Sequence, residues 1–179
     1  MISEGNAMAY IFEEENHFYA IDCSKAIWAT DSINDLYHDY AKSILCDVDW
    51  IIETEDNMLL VEYKNANVPG CSNPAAFKPK EDNKLANVTR KYYDSIHYLN
   101  IINKDKPRKY IYILEYPNGD VVSILCFQLM LQQRLPFGLQ YTEKAVNKII
   151  ESVEVVSIDE WNERYSKFPL NPIPHTEDT

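Results

Sequence analysis

Glycine is scarce. Only four occur in 179 residues, at positions 5, 70, 119 and 138. None belongs to a glycine-rich phosphate loop, so folds that hold nucleotides on such loops are disfavoured. The four cysteines, Cys23, Cys46, Cys71 and Cys126, show no Cys-x-x-Cys spacing. That spacing record supports neither zinc ligation nor a disulfide framework. His17, His38, His97 and His175 are scattered without a His-x-x-x-His pair, so none reads as a zinc ligand. No Gly-x-Ser-x-Gly stretch marks a serine hydrolase. No run of about 18 apolar residues exists, and no membrane span is expected. The start, "MISEGNAMAYIFEEEN", lacks the basic flank and apolar centre of a signal peptide. The expectation is a cytoplasmic chain with no membrane partner. Its oligomeric state is not legible.

What is present fits one globular unit. With 46% hydrophobic and 25% charged residues, a single domain over residues 1–168 is expected, followed by an extended or disordered tail over 169–179. Net charge is −11, and only four arginines occur. Between Lys78 and Lys109, however, lie nine Lys/Arg against four Asp/Glu, a local +5 that leaves −16 elsewhere. A basic segment in an acidic chain can touch phosphate, although such a run is more often a solvated helix face.

Element patterns alternate. Residues 10–22 read as two short strands around a polar turn at Glu15-Asn16. Residues 31–45 read as a helix capped by Asp31 or Ser32. A strand–turn–strand unit follows over 46–67. The stretch 67–83, with Pro69, Pro74 and Pro79, reads as a long loop. Residues 84–102 form a second major helix pattern. Residues 108–116 and 120–131 read as strands joined by a turn at 117–120. A helix is expected over 142–153 and a strand over 153–158. A last helix follows, with the capping-box pair Ser157 and Glu160.

The strand unit "CDVDWIIETEDNMLLVEYKNAN" carries charge inside apolar runs. With Glu55-Asp56 as the turn, facing residues share a side of the sheet. Val48, Trp50, Ile52, Leu59, Val61 and Tyr63 then make one apolar side. Asp49, Ile51 and Glu53 stand against Met58, Leu60, Glu62 and Lys64 on the other. Asp49 lies opposite Glu62 in this register, and Asp47 opposite Lys64. A turn at Asp56-Asn57 keeps both sets but sets Asp49 opposite Lys64. Facing carboxylates repel unless a positive group sits between them. A divalent cation with oxygen ligands answers that need, and Mg²⁺ is commonly held by one or two carboxylates plus water and phosphate. Lys64 shares the side of Glu62 and can orient a water or stabilise charge on a phosphate. The plain alternative is two solvated acids at strand ends.

"DVDWII" followed by "LLVEYK" resembles the Asp…Glu-x-Lys signature of the PD-(D/E)XK nuclease superfamily, in the flavour of Holliday-junction resolvase-like small nucleases. The resemblance implies an α/β, restriction-endonuclease-like mixed β-sheet flanked by helices, here with an N-terminal hairpin and a C-terminal helical extension. It implies a hydrolase that cleaves phosphodiester bonds of nucleic acid, DNA by family weighting, with Mg²⁺ or Mn²⁺. Asp49, Glu62 and Lys64 take the catalytic roles. Asp49, Glu62 and the main-chain carbonyl of Tyr63 hold the metal. Asp39, beside Leu36 at the border of the apolar stripe, is the candidate for a further acid from the preceding helix. Arg90 and Lys91 are the candidate nucleic-acid contacts. Two other functions stay open: a non-catalytic binding or regulatory protein on the same scaffold, whose acidic surface meets a partner, and a nuclease whose DNA grip comes from a partner protein.

Overall fold

The computed structural model describes residues 10–42, 44–69, 74, 77–117 and 119–174. Gly70, Cys71 and the neighbouring part of the expected long loop lie outside the described residues, as does His175 with the end of the tail.

The chain is a mixed α/β protein with two sheets. Its strands are β1 (Ile11–Glu13), β2 (Tyr19–Asp22), β3 (Trp28–Thr30), β4 (Trp50–Glu53), β5 (Met58–Asn65), β6 (Arg108–Glu115), β7 (Ser152–Val156) and β8 (Leu170–Pro172). Its α-helices are α1 (Ile33–Ala41), α2 (Asp82–Ile101), α3 (Val121–Arg134) and α4 (Ile158–Arg164). The larger sheet has the order β3-β4-β5-β6-β7 and the smaller one β1-β2-β8. Pairing is antiparallel from β3 to β5 and parallel from β5 to β7. Each parallel step needs a crossover, and α2 and α3 supply the two.

Periodicity explains the layers. Alternate residues of β4 and β5 face opposite ways. Ile51, Met58 and Leu60 join Tyr110 and Tyr112 beneath Leu85, Tyr92 and Leu99 of α2 and Phe127 and Leu131 of α3. Trp50, Ile52, Leu59, Val61 and Tyr63 face Ile21 of β2, Leu170 of β8 and Trp161 of α4. The five-stranded sheet is therefore covered on both faces. Val48 departs from its expected side: β4 begins only at Trp50, and Val48 packs toward the α2 face.

The expected strand unit is an antiparallel pair in the first of the two registers, with Trp50 opposite Val61 and Glu53 opposite Met58. Thr54 closes the turn, its amide donating to the Asn57 carbonyl at 2.9 Å. The N-terminal hairpin and the capping box are also present. The Ser157 hydroxyl accepts from the Glu160 amide at 3.1 Å, and the Glu160 carboxylate accepts from the Ser157 amide at 2.9 Å.

Four expectations are corrected. Residues 120–131 are helical, not a strand, and the expected hairpin turn before them is the start of α3, where the Asp120 carboxylate accepts from the Ser123 amide at 2.7 Å. Residues 142–151 hold no helix. The Gln140 carboxamide accepts from the Ile149 and Ile150 amides and donates to the Ile150 carbonyl. Those bonds fix an irregular path that intrinsic helix propensity does not override. A strand unforeseen in the sequence, β3, borders β4. Finally, the boundary expected after residue 168 does not set the tail apart: Leu170–Pro172 is extended, as expected, but pairs with β2, and Leu170 is buried. Among the described residues no helix is long and apolar enough to cross a membrane.

Candidate active site

Asp49 ends the segment leading into β4, and Glu62 lies on the neighbouring strand β5. Two side chains of α2 fix that segment. The Asp94 carboxylate accepts from the Cys46 amide at 3.0 Å, and the buried Ser95 hydroxyl accepts from the Val48 amide at 3.0 Å. The intervening Asp47 and the following Asp49 are thereby held at one end of the sheet. Asp49 is fixed further by the Tyr63 amide, which donates to its Oδ2 at 2.7 Å. In a strand the amide and carbonyl of one residue point to the same neighbour, so the Tyr63 carbonyl opens toward the Asp49 side as well.

Lys91 of α2 reaches the same point. Its Nζ donates to Glu62 Oε1 at 2.8 Å and Oε2 at 2.9 Å, and stands 3.5 Å from Asp49 Oδ1. The two carboxylates thus converge on one ammonium. Glu62 is 8% exposed at its side chain and Lys91 28%. Asp49 is recessed but open along one edge, at 37%.

Burial raises the Glu62 carboxyl well above its ordinary range and Asp49 raises it further, while Lys91 opposes both. Asp49 is raised by burial, against Lys91 and the Tyr63 amide. Asp47 is pushed up to about 6, first by burial and then by Asp49. Burial pulls Lys91 down, but Glu62 and then Asp49 more than offset this and hold the ammonium above its usual value. The site is an excess of negative charge stabilised by one internal cation.

Asp47, Asp49, Tyr63 and Lys91 line a cleft of about 450 Å³; Glu62 does not line it but is bonded to Lys91, which does. Lys64 also lines it, exposed at the rim, with no ion pair among the described residues. The turn between β1 and β2 brings Glu13, Glu14 and Glu15 to the opposite wall. Glu14 is buried and ties that turn, accepting from the amides of Asn16 at 2.8 Å and Phe18 at 2.7 Å. Asp31 and the neutral Asn34 complete the lining near α1.

The structure places Asp49, Tyr63 and Lys64 on one cleft and joins Glu62 to Asp49 through Lys91. Asp39 is exposed on α1 and does not line the cleft. Arg90 is exposed, and its Nε donates to Cys46 Sγ at 3.1 Å. Lys91 is not an exposed helix charge but the partner of both carboxylates. A signal for this was present: Lys91 lies three residues after Val88 and four before Ser95, both buried on α2, and that spacing puts it on the inward face.

The fit of a divalent cation is partial and specific. No group of three or more His, Cys, Asp or Glu among the described residues is arranged to hold a metal. Asp49 and Glu62 nevertheless present converging oxygens, now shared by one ammonium. Two carboxylates with water and phosphate oxygens are a common Mg²⁺ set. Compared with known proteins, the chain matches no family model, no curated protein and no solved structure.

Proposed function

We propose that the chain is a metal-dependent nuclease that hydrolyses phosphodiester bonds, with DNA as substrate, on a restriction-endonuclease-like scaffold. One observation carries this reading: Asp49, just before β4, and Glu62, within the neighbouring β5, converge on a single cation position. The sheet supports it, since an antiparallel set leads through α2 into a parallel strand. It departs from the usual core in that β3 precedes α1 in the chain.

In this reading Asp49 and Glu62 hold Mg²⁺ or Mn²⁺, with the Tyr63 carbonyl beside them. Bound there, such an ion activates water and stabilises the leaving oxygen. Lys91 neutralises the pair, and a bound cation would take over that role and leave the ammonium available to a phosphate. Lys64, free at the rim, orients the attacking water or meets charge developing on the phosphate. The Tyr63 amide and Ser95 keep Asp49 in place. The acidic wall from the β1–β2 turn repels phosphate unless cations screen it, which couples nucleic-acid entry to metal loading.

The test is cleavage of plasmid DNA, single-stranded DNA and RNA with Mg²⁺ or Mn²⁺. Lys64→Ala and Glu62→Gln, each checked for folding, should abolish it. Unchanged cleavage by either variant contradicts the assignment. A second reading, a non-catalytic module that binds a basic protein segment, is favoured by the same acidic lining. It predicts binding of a Lys/Arg-rich peptide that survives Glu62→Gln, with no cleavage of any nucleic acid.

A further inference from the structure

Helix α3 is uncharged and largely apolar over nearly its whole length. From Val121 to Gln133 it carries no charged residue, in a chain of net charge −11. A helix of this composition is normally buried on every side. Only one side is covered here. Phe127 and Leu131 enter the core, and Gln128 accepts from the Val155 amide at 3.0 Å. The outer side presents Val121 at 75% exposure, Val122 at 76%, Leu125 at 53% and Leu129 at 59%, with Cys126 also exposed. Positions 122, 125, 126 and 129 follow the helical i, i+3, i+4, i+7 spacing.

We propose that this outer face of α3 is the contact through which two copies of the chain associate, helix against antiparallel helix about a two-fold axis. Three observations select a second copy as the occupant. The first is shape. Pairing the stripe with itself in the antiparallel sense sets Val122 of one copy against Leu129 of the other, and Leu125 against Cys126. Each contact matches a larger side chain with a smaller one, as an isologous interface requires. The second is charge: two copies of an acidic chain meet with least repulsion across a charge-free face. The third is area. The four Val and Leu residues leave about 450 Å² open, the size of the largest apolar patch a monomer usually exposes, which is often functional. Two such patches cover about 900 Å², and Cys126, Gln132 and Gln133 bring the contact to roughly the 1,000 Å² where specific interfaces begin. A contact of this size fits a weak, concentration-dependent dimer, not an obligate one.

The geometry also sets a covalent probe. The stripe's midpoint lies between Leu125 and Cys126, so antiparallel packing brings the two Cys126 side chains close to the axis. Among the described residues Cys126 is the exposed free cysteine, Cys23 being buried and Cys46 half-buried.

Sedimentation velocity of the full chain, from about 1 to about 100 μM to span the expected affinity, should show a species of twice the 20.9 kDa chain mass. Leu125→Glu and Leu129→Glu, each with unchanged circular dichroism, should be monomeric throughout. Added diamide should oxidise two Cys126 thiols to one intermolecular disulfide, taking up their two electrons and two protons. Cys126→Ser should lose that covalent dimer. A native chain that stays monomeric overturns the proposal, whatever else binds the face. So does a dimer that Leu125→Glu leaves intact, or a disulfide dimer that forms equally in Cys126→Ser.

Discussion

Replacing Lys91 with Met removes the ammonium shared by Asp49 and Glu62 while keeping most of the side-chain volume. The ammonium lies 2.8 Å from Glu62 and 3.5 Å from Asp49. Breaking a buried ion pair by deleting one partner costs about 3–5 kcal/mol, because the remaining charge is left uncompensated. The cleft is open along Asp49, so the lower end, about 3 kcal/mol, is expected. For a chain of this size that corresponds to a fall in Tm of roughly 6–12 °C. The loss must depend on pH. Glu62 already sits above its ordinary range, and without Lys91 it rises further. The folded variant then holds a proton that the unfolded chain releases, so its deficit is largest in alkaline solution and shrinks as the carboxyl protonates in acid. Urea unfolding at pH 8 and pH 5 measures this directly. Glu62→Gln in the Lys91→Met background should restore most of the loss at pH 8. A deficit equal at both pH values, or no rescue by Glu62→Gln, refutes the convergence on which the functional reading rests.

Two further outcomes follow from the same geometry. Asp47 is 8% exposed and titrates near 6 when folded, against 3.8 for the free group. Its contribution to stability is therefore full below the unfolded value, declines as pH rises from about 4 to 6, and stays low above that. Asp47→Asn should remove this decline, so the variant gains up to about 3 kcal/mol over the native chain at pH 7 and almost nothing at pH 4; equal unfolding midpoints for the two proteins at pH 7 would contradict it. Ser95→Ala leaves the buried Val48 amide without its acceptor and should destabilise by about 1–3 kcal/mol. The same variant should weaken Mn²⁺ binding in calorimetry through the displaced Asp49, whereas an unaltered affinity would show that Ser95 does not position that carboxylate.

The strand pair was legible because it is local. A two-residue turn and strict alternation fix which side chains share a side, while the choice between the two turns, and so Asp49 opposite Glu62 and not Lys64, comes from the structure. Lys91 was harder to place, since its role depends on how α2 docks, which no pattern within the strand pair reveals. Its inward spacing with Val88 and Ser95 was readable, but its partners were not. The segment 120–131 was misread for a different reason. A continuous apolar run has no period to separate strand from helix. The parallel pairing of β6 and β7, which demands a crossover, was itself hidden. Residues 142–151 look helical in composition, yet only Ile150 among them is buried, so no apolar face anchors a helix there. Gln140, outside the segment, sets its path instead.

The most direct measurement is a calorimetric titration with Mn²⁺, carried to about 5 mM to include weak oxygen-ligand sites, of the native chain and of Asp49→Asn/Glu62→Gln. The account predicts saturable binding by the native protein that the double variant lacks. Identical heats from the two proteins would contradict a metal site at the converging carboxylates.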